Sequence, residues 1–418
     1  MSQGGTITKE ITGLGAIVID DLTTIGVGTT QHTFRLPYSM QLLDVRASLV
    51  TAQTAGTLVT VDLNVNGSSI LSTKITIDNG QTTSKTATTP PVISQSLLFE
   101  DSEVEVDVDA IGDGTAKGLK VILIGTWSGL HTAESNLTIA FFGDSSIGTN
   151  ANAVLNMVKA EGTDIIVHAG DLDYLDSPST FESSINAIMG STFPYFYLAG
   201  NHDAAAWSSG YQSNLETRLT AIGITWDGTL GTQSSFMYKG VQFILTSPNE
   251  VGITSASAAS YITSVLGSTS AIWRISAWHK LKRLMQTGTK PDEVDWDVYE
   301  ASRAGAGIII NGHEHTYERT YSMSDFTTQT IYNTSNIVTV DNGHTFAAVI
   351  GMGGHSIRGV DAGLDTNPWW ANTYNSTNGG QYGALFGKFN YNGDPTLAKF
   401  YFKDINNVTR DIFYVRRS

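Results

Sequence analysis

Between His32 and Trp127 apolar and polar residues alternate in short runs. Leu42-Leu43-Asp44-Val45-Arg46-Ala47, Val59-Thr60-Val61-Asp62-Leu63-Asn64-Val65, Val104-Glu105-Val106-Asp107-Val108 and Leu119-Lys120-Val121-Ile122-Leu123 are examples. Asn66-Gly67, Asp78-Asn79-Gly80 and Gly112-Asp113-Gly114 punctuate them. A period of two with closely spaced turns predicts an all-β sandwich over residues 31–127. Residues 1–30 are Gly/Thr-rich with apolar patches such as Ala16-Ile17-Val18-Ile19, which predicts an irregular arm or a single strand. A polar stretch, 128–136, is expected to link this region to a domain over 137–418.

From Leu137 the pattern changes. Strands are predicted over 137–142, 164–168 and 195–198, with helices over 150–160 and 179–189 between them. Further strands are expected at 272–277 and 307–310, and the chain from Tyr332 to Val415 turns strand-rich again. Alternating strands and helices read as an α/β domain.

Each of these strands ends in side chains able to hold a metal. The ends read Gly143-Asp144, Gly170-Asp171, Gly200-Asn201-His202-Asp203, Trp278-His279 and Asn311-Gly312-His313-Glu314-His315. In α/β sheets ligands gather at the carboxyl ends of strands, and Gly lets the backbone turn sharply there. Carboxylates can bridge two cations, imidazoles suit zinc and iron, and an amide oxygen adds a ligand without charge.

Composition narrows the chemistry. The chain has no cysteine, so disulfides and zinc–thiolate sites are excluded. Its 39 acidic and 24 basic residues give a formal net charge of −15. That balance opposes non-specific binding to nucleic acid or a membrane surface, both of which need basic patches. A small phosphate ester stays compatible, because bound cations outweigh the global field. No apolar run is long enough to span a bilayer, so no membrane insertion is expected. The start, Met-Ser-Gln-Gly-Gly-Thr, lacks the features of a secretory signal.

A Gly-Asp after a strand is ordinarily just a turn, but five such blocks in this order are specific. The order GD, GD, GNHD, lone H and GHEH resembles the calcineurin-like metallophosphoesterase superfamily over residues 137 to about 415. The resemblance implies a four-layer αββα sandwich. Many members carry His two residues after the first Asp, where this chain has Ser146. It has Tyr174 three residues after Asp171, and Gly312-His313-Glu314-His315-Thr316-Tyr317-Glu318-Arg319 looks like the GHxHxYER block of purple acid phosphatases. Purple acid phosphatases share both the missing histidine and the tyrosine, which is a ligand of ferric iron there; Tyr174 as a core aromatic is the alternative.

The resemblance implies a binuclear site. Asp144, Asp171, Tyr174 and His315 would hold Fe(III), and Asp171, Asn201, His279 and His313 would hold Zn, Fe or Mn, with Asp171 bridging. It also implies hydrolysis of a phosphate monoester by a hydroxide whose pKa the cations lower. Asn201 and His202 would bind the substrate, His202 would protonate the leaving oxygen, and Asp203 would orient His202. Lys280-Leu281-Lys282-Arg283, where the family typically has Pro, reads as a basic helical start that either holds an anionic substrate or is a solvated face.

Among the remaining candidates, His168 reads as a core residue. His355 reads as part of a structural loop, although it could face the site. Arg319 reads as a brace for the GHEH loop. The Pro368-Trp369-Trp370-Ala371-Asn372 cluster is open between substrate rim and core.

Residues 31–127 resemble β-sandwich modules of tailed-phage structural proteins, through Phe34-Arg35-Leu36-Pro37-Tyr38 and Lys117-Gly118-Leu119-Lys120-Val121. This implies attachment to virion or tail proteins through residues 1–127, a virion location and a homo-oligomer. Otherwise a soluble bacterial protein without a signal peptide is expected. Two other functions share the sequence: a phosphodiesterase or nuclease on the same site, and a virion structural or adhesion protein with a non-catalytic phosphatase-like domain.

Overall fold

A computed structural model describes residues 11–37, 39–99, 102–127 and 133–417. The chain divides into two units, Met1–Leu130 and His131–Ser418.

In the first unit one sheet has the order Ile11–Ile17, Lys120–Trp127, Met40–Ser48, Leu97–Leu98. The other has the order Gly28–Arg35, Glu103–Ala110, Val59–Val65, Ser68–Ser69, with Ile75–Ile77 also pairing with Val59–Val65. Alternation decides which side chains go inward. Val104, Val106 and Val108 are buried between the part-exposed Glu103, Glu105 and Asp107. They share one apolar core with Val45, Ala47, Val121 and Leu123 of the facing sheet, so the unit is a β-sandwich.

The expected arm is part of it. Residues 1–10 lie outside the described residues, but Ile11–Ile17 pairs antiparallel with Lys120–Trp127, Leu14 opposite Leu123. Gly28–Arg35 is likewise already a strand of the sandwich. Of the expected linker, residues 128–132 lie outside the described residues. Ala133 and Asn136 are hydrogen-bonded to Asn390, within the second unit.

The second unit holds two larger sheets. The seven-stranded one has the order Tyr195–Tyr197, Ile165–His168, Leu137–Phe142, Gly383–Phe389, Leu397–Asp404, Thr409–Arg417, Ile337–Val340. The eight-stranded one has the order Asp227–Thr229, Gln233–Tyr238, Val241–Thr246, Trp273–Trp278, Ile308–Asn311, Ala347–Ile350, Tyr317–Thr320, Trp370–Tyr374. Aromatic rings lock the two face to face: Trp273 meets Phe389 at 5.2 Å and Tyr317 stacks on Phe402 at 4.2 Å. Arg319 reaches across as well, its Nε donating to Asp411 at 2.7 Å over the Phe413 ring. It therefore ties sheet to sheet rather than bracing its own loop.

Helices cover the outer faces. Ser255–Ser268 and Trp296–Ala304 share a core with Ile244, Trp278 and Ile309 of the eight-stranded sheet. Phe181 of Pro178–Ile188 packs edge-on against Tyr195 and His168 of the seven-stranded sheet. The layering is helix, sheet, sheet, helix. Trp369 and Trp370 belong to the buried core on the eight-stranded side, not to a substrate rim. Among the described residues no helix is long and apolar enough to cross a membrane.

Candidate metal centre

Five strand ends, three from the seven-stranded sheet and two from the eight-stranded one, meet between the sheets. The loops that follow need unusual backbone. Asp144, Asp171, Tyr174 and His313 adopt φ of 55°, 56°, 58° and 72°. For non-glycine residues this costs of order 1 kcal/mol or more each, and it concentrates at functional sites. Two glycines permit the close approach. A Cβ on Gly170 would lie 2.8 Å from His279 Nδ1, and one on Gly312 would lie 2.6 Å from the Ala169 carbonyl oxygen.

The side chains gather in two groups. In the first, Tyr174 Oη donates to Asp144 Oδ1 at 3.0 Å and lies 3.1 Å from His315 Nε2, which is 3.2 Å from Asp144 Oδ1. Tyr174 is thus part of the cluster rather than a core aromatic. In the second, His279 Nε2 lies 3.2 Å from Asp171 Oδ2 and 3.1 Å from His313 Nδ1. Asp171, His279 and His313 bring ligand atoms within 4.8 Å of one another. Asn201 sits beside them, its amide oxygen buried and without a hydrogen-bond partner. The adjacent His202 N–H donates to Asp171 Oδ1 at 2.9 Å.

Each imidazole has one nitrogen held from outside and the other turned inward. His279 Nδ1 meets the Ala169 carbonyl at 2.7 Å, His315 Nδ1 meets Ser356 Oγ at 2.5 Å, and His313 Nε2 meets Glu293 Oε2 at 2.5 Å. This is how metal-ligating histidines are oriented. A hard carboxylate and phenol oxygen set with imidazoles, plus an orphaned amide oxygen, fits borderline-to-hard cations.

Electrostatics agree with that fit. Burial opposes the charge on His279, but the Asp171 and Asp144 carboxylates outweigh it and raise the imidazole to about 9. Burial pushes His313 down to about 4. Burial also opposes ionisation of Asp144, yet His315, His279 and His313 hold it well below the usual carboxylate range. Burial and the Asp144 and Asp171 charges push the Tyr174 phenol far above its ordinary value. The pocket thus stores negative charge that cations would neutralise.

Several expected roles change. Asp203 does not orient His202: both its oxygens are occupied by the backbone N–H groups of Asp171, Leu172 and Gly200, each at 2.8 Å. Lys280–Arg283 does not start a helix beyond the short 3₁₀ turn Arg283–Met285. Its cations are committed to carboxylates: Lys280 to Glu250 at 2.6 Å, Lys282 to Asp292 at 3.0 Å, and Arg283 to Asp361. They are not held free for an anionic substrate. His168 is fully buried, Nε2 lying 2.9 Å from Ser145 Oγ.

His355 faces the site. Its ring lies 3.7 Å from that of Tyr174, and the His202 ring lies 4.6 Å from Tyr174. Glu293, Ser356 and Arg358, which donates to the His313 carbonyl at 3.2 Å, were not singled out from the sequence. No local pattern marks them, because each reaches the site through the tertiary fold.

A sequence profile of the calcineurin-like phosphoesterase family matches residues 137–346. The chain belongs to that family. No curated protein sequence matches it. Among solved structures, the purple acid phosphatase PPD1 isolated from yellow lupin (Lupinus luteus) seeds superposes with a TM-score of 0.51 at 15% identity, covering 91% of this chain and 74% of that one. At that identity the calcineurin-like phosphoesterase shares a fold with the lupin protein. PhoD gives a TM-score of 0.45 at 12% identity, covering 90% of each chain. GAP50, described as the anchor in the inner membrane complex of Plasmodium, gives 0.44 at 12% identity, covering 68% of this chain and 90% of that one.

Proposed function

We propose that this calcineurin-like phosphoesterase hydrolyses phosphate monoesters at a two-cation centre. Asp144, Asp171, Tyr174 and His315 would hold one ion, and Asp171, Asn201, His279 and His313 the other. The observation that carries this reading is the pair of clusters in which every imidazole turns one nitrogen inward and anchors the other. Asp171 suits the bridging place: Oδ1 accepts the His202 N–H while Oδ2 faces the cluster. The Tyr174 phenol, surrounded by carboxylates, needs a strongly charged cation to ionise, which favours Fe(III) at that position. Zn, Fe or Mn suits the other donor set.

When bound, the cations would neutralise charge on the phosphoryl oxygens and make water nucleophilic at neutral pH. The chain's own part is positioning. His202, next to Asn201, is exposed and its ring lies 4.6 Å from that of Tyr174. In this reading the Asn201 amide and the His202 imidazole would hydrogen-bond the phosphoryl group, and His202 would hold a proton for the leaving oxygen. His202→Ala is expected to lower turnover by about a hundredfold, with metal content unchanged by elemental analysis.

A visible absorption band from a tyrosine–iron(III) pair is expected in iron-loaded protein and lost in Tyr174→Phe. Stoichiometric iron without that band would remove Tyr174 from the ligand set. Comparison of 4-nitrophenyl phosphate with its bis-ester decides between monoester and diester. Faster turnover of the diester would replace the monoester assignment.

A further inference from the structure

The stretch after His279 is pinned in place with no regular structure beyond the 3₁₀ turn Arg283–Met285. The Glu293 N–H donates to the Leu281 carbonyl at 3.0 Å, and its carbonyl accepts from Asn249 Nδ2 at 2.8 Å. Asp292 next to it accepts from the Arg283 N–H at 2.8 Å and pairs with Lys282. Both sides of the Glu293 peptide are therefore fixed, and the side chain has one direction to take. It meets His313 Nε2 at 2.5 Å, and Lys280 lies 3.9 Å from its other oxygen.

The contact decides which nitrogen of His313 carries the proton. A carboxylate at Nε2 accepts a hydrogen bond, so in the neutral ring the proton sits there and the Nδ1 lone pair points inward. The Ala169 carbonyl does the same for His279 through Nδ1, leaving Nε2 inward. The two inward nitrogens lie 3.1 Å apart, a spacing that suits a proton or a cation held between them. The arrangement is one in which an outside carboxylate prepares an inside ligand.

We propose that Glu293 is a positioning residue for the second cation: it fixes His313 with Nδ1 facing the centre and adds electron density to that imidazole. This rests on the two-cation reading of the site. The residues 280–294 then have a function that their charges alone did not suggest. Lys280, Lys282 and Arg283 hold the segment that delivers Glu293, instead of holding substrate.

The test is titration of the metal-free full chain, first loaded with iron, with Zn(II) by calorimetry. Glu293→Ala is expected to weaken the zinc step about 10- to 100-fold, with Glu293→Gln intermediate because an amide oxygen still accepts but carries no charge. The tyrosine–iron band and the iron stoichiometry should stay as in wild type, a split between sites that general loosening would not produce. Asp292→Asn loosens the same segment while keeping the Glu293 carboxylate, and it should lose less than Glu293→Ala. Melting of the metal-free variants by circular dichroism checks that each folds. Wild-type zinc affinity in Glu293→Ala, or an equal loss in Asp292→Asn, overturns the role of Glu293. If wild type itself takes up no second ion, the two-cation reading fails and this inference fails with it.

Discussion

Asp171→Asn is expected to lose both cations and to lower turnover by about three orders of magnitude or more, since metal assistance is worth several kcal/mol and each 1.36 kcal/mol is tenfold. The substitution keeps the shape. The amide oxygen still accepts the His202 N–H, which Asp171 Oδ1 now takes at 2.9 Å. What goes is the charge between the two clusters.

In the empty protein that charge is paired: burial opposes it, but His279 outweighs burial and holds the Asp171 carboxyl below its ordinary range. Asp171, Asp144 and Asp203 are all buried together, and the Asp171 charge helps push the Asp203 carboxyl well above its ordinary value, after burial itself. Removing one partner of a buried pair is destabilising, and relief of the Asp203 carboxyl offsets only part of that, so metal-free Asp171→Asn is expected to melt below metal-free wild type. Elemental analysis, turnover and melting of the metal-free forms are the three measurements. Two bound ions with more than a tenth of wild-type turnover would remove Asp171 from the bridging place.

The strand ends were legible because strand and glycine signals are local. The expected strand 137–142 is the observed Leu137–Phe142, and the other expected elements of the α/β start agree to within one residue or so. Residue types at those ends then suffice to propose ligands, since few side chains bind hard cations. What stayed illegible is whatever depends on long-range contact. Glu293 reaches His313 only through a segment that has no helical or strand period. Ser356 and His355 come from a glycine-rich loop whose path no pattern predicts. Lys280, Lys282 and Arg283 look like a free basic face in sequence, because their partners Glu250, Asp292 and Asp361 are set by the fold. Asp203 is the instructive case: adjacency to His202 suggested a partner one residue away, whereas its oxygens turn to the backbone.

Asp203→Ala is accordingly expected to damage the fold and the site together. Asp203 Oδ2 accepts the Asp171 and Gly200 N–H groups and Oδ1 accepts that of Leu172, all in a fully buried setting. These donors belong to the two turns that carry Asp171 and Asn201, so one carboxylate holds two strand ends in register. Alanine leaves three buried donors without partners. At about 1–3 kcal/mol for each unsatisfied group, partly relieved by entering water, the expected loss is about 3 kcal/mol. For a unit of this size that corresponds to roughly 6–12 °C in melting temperature. Asparagine keeps one acceptor but turns an NH₂ group toward a donor, so Asp203→Asn should fall between wild type and alanine. Loosened turns no longer present Asp171 and Asn201 together, and uptake of the second ion should weaken as well. The contrast with Asp171→Asn is the discriminating result: that variant loses both ions while its turns keep their bonds to Asp203, whereas Asp203→Ala loses those bonds and weakens uptake of the second ion. Asp203→Ala protein that melts within about 2 °C of wild type and still binds two ions would mean that the turns hold themselves, and that Asp203 has some other reason to be there.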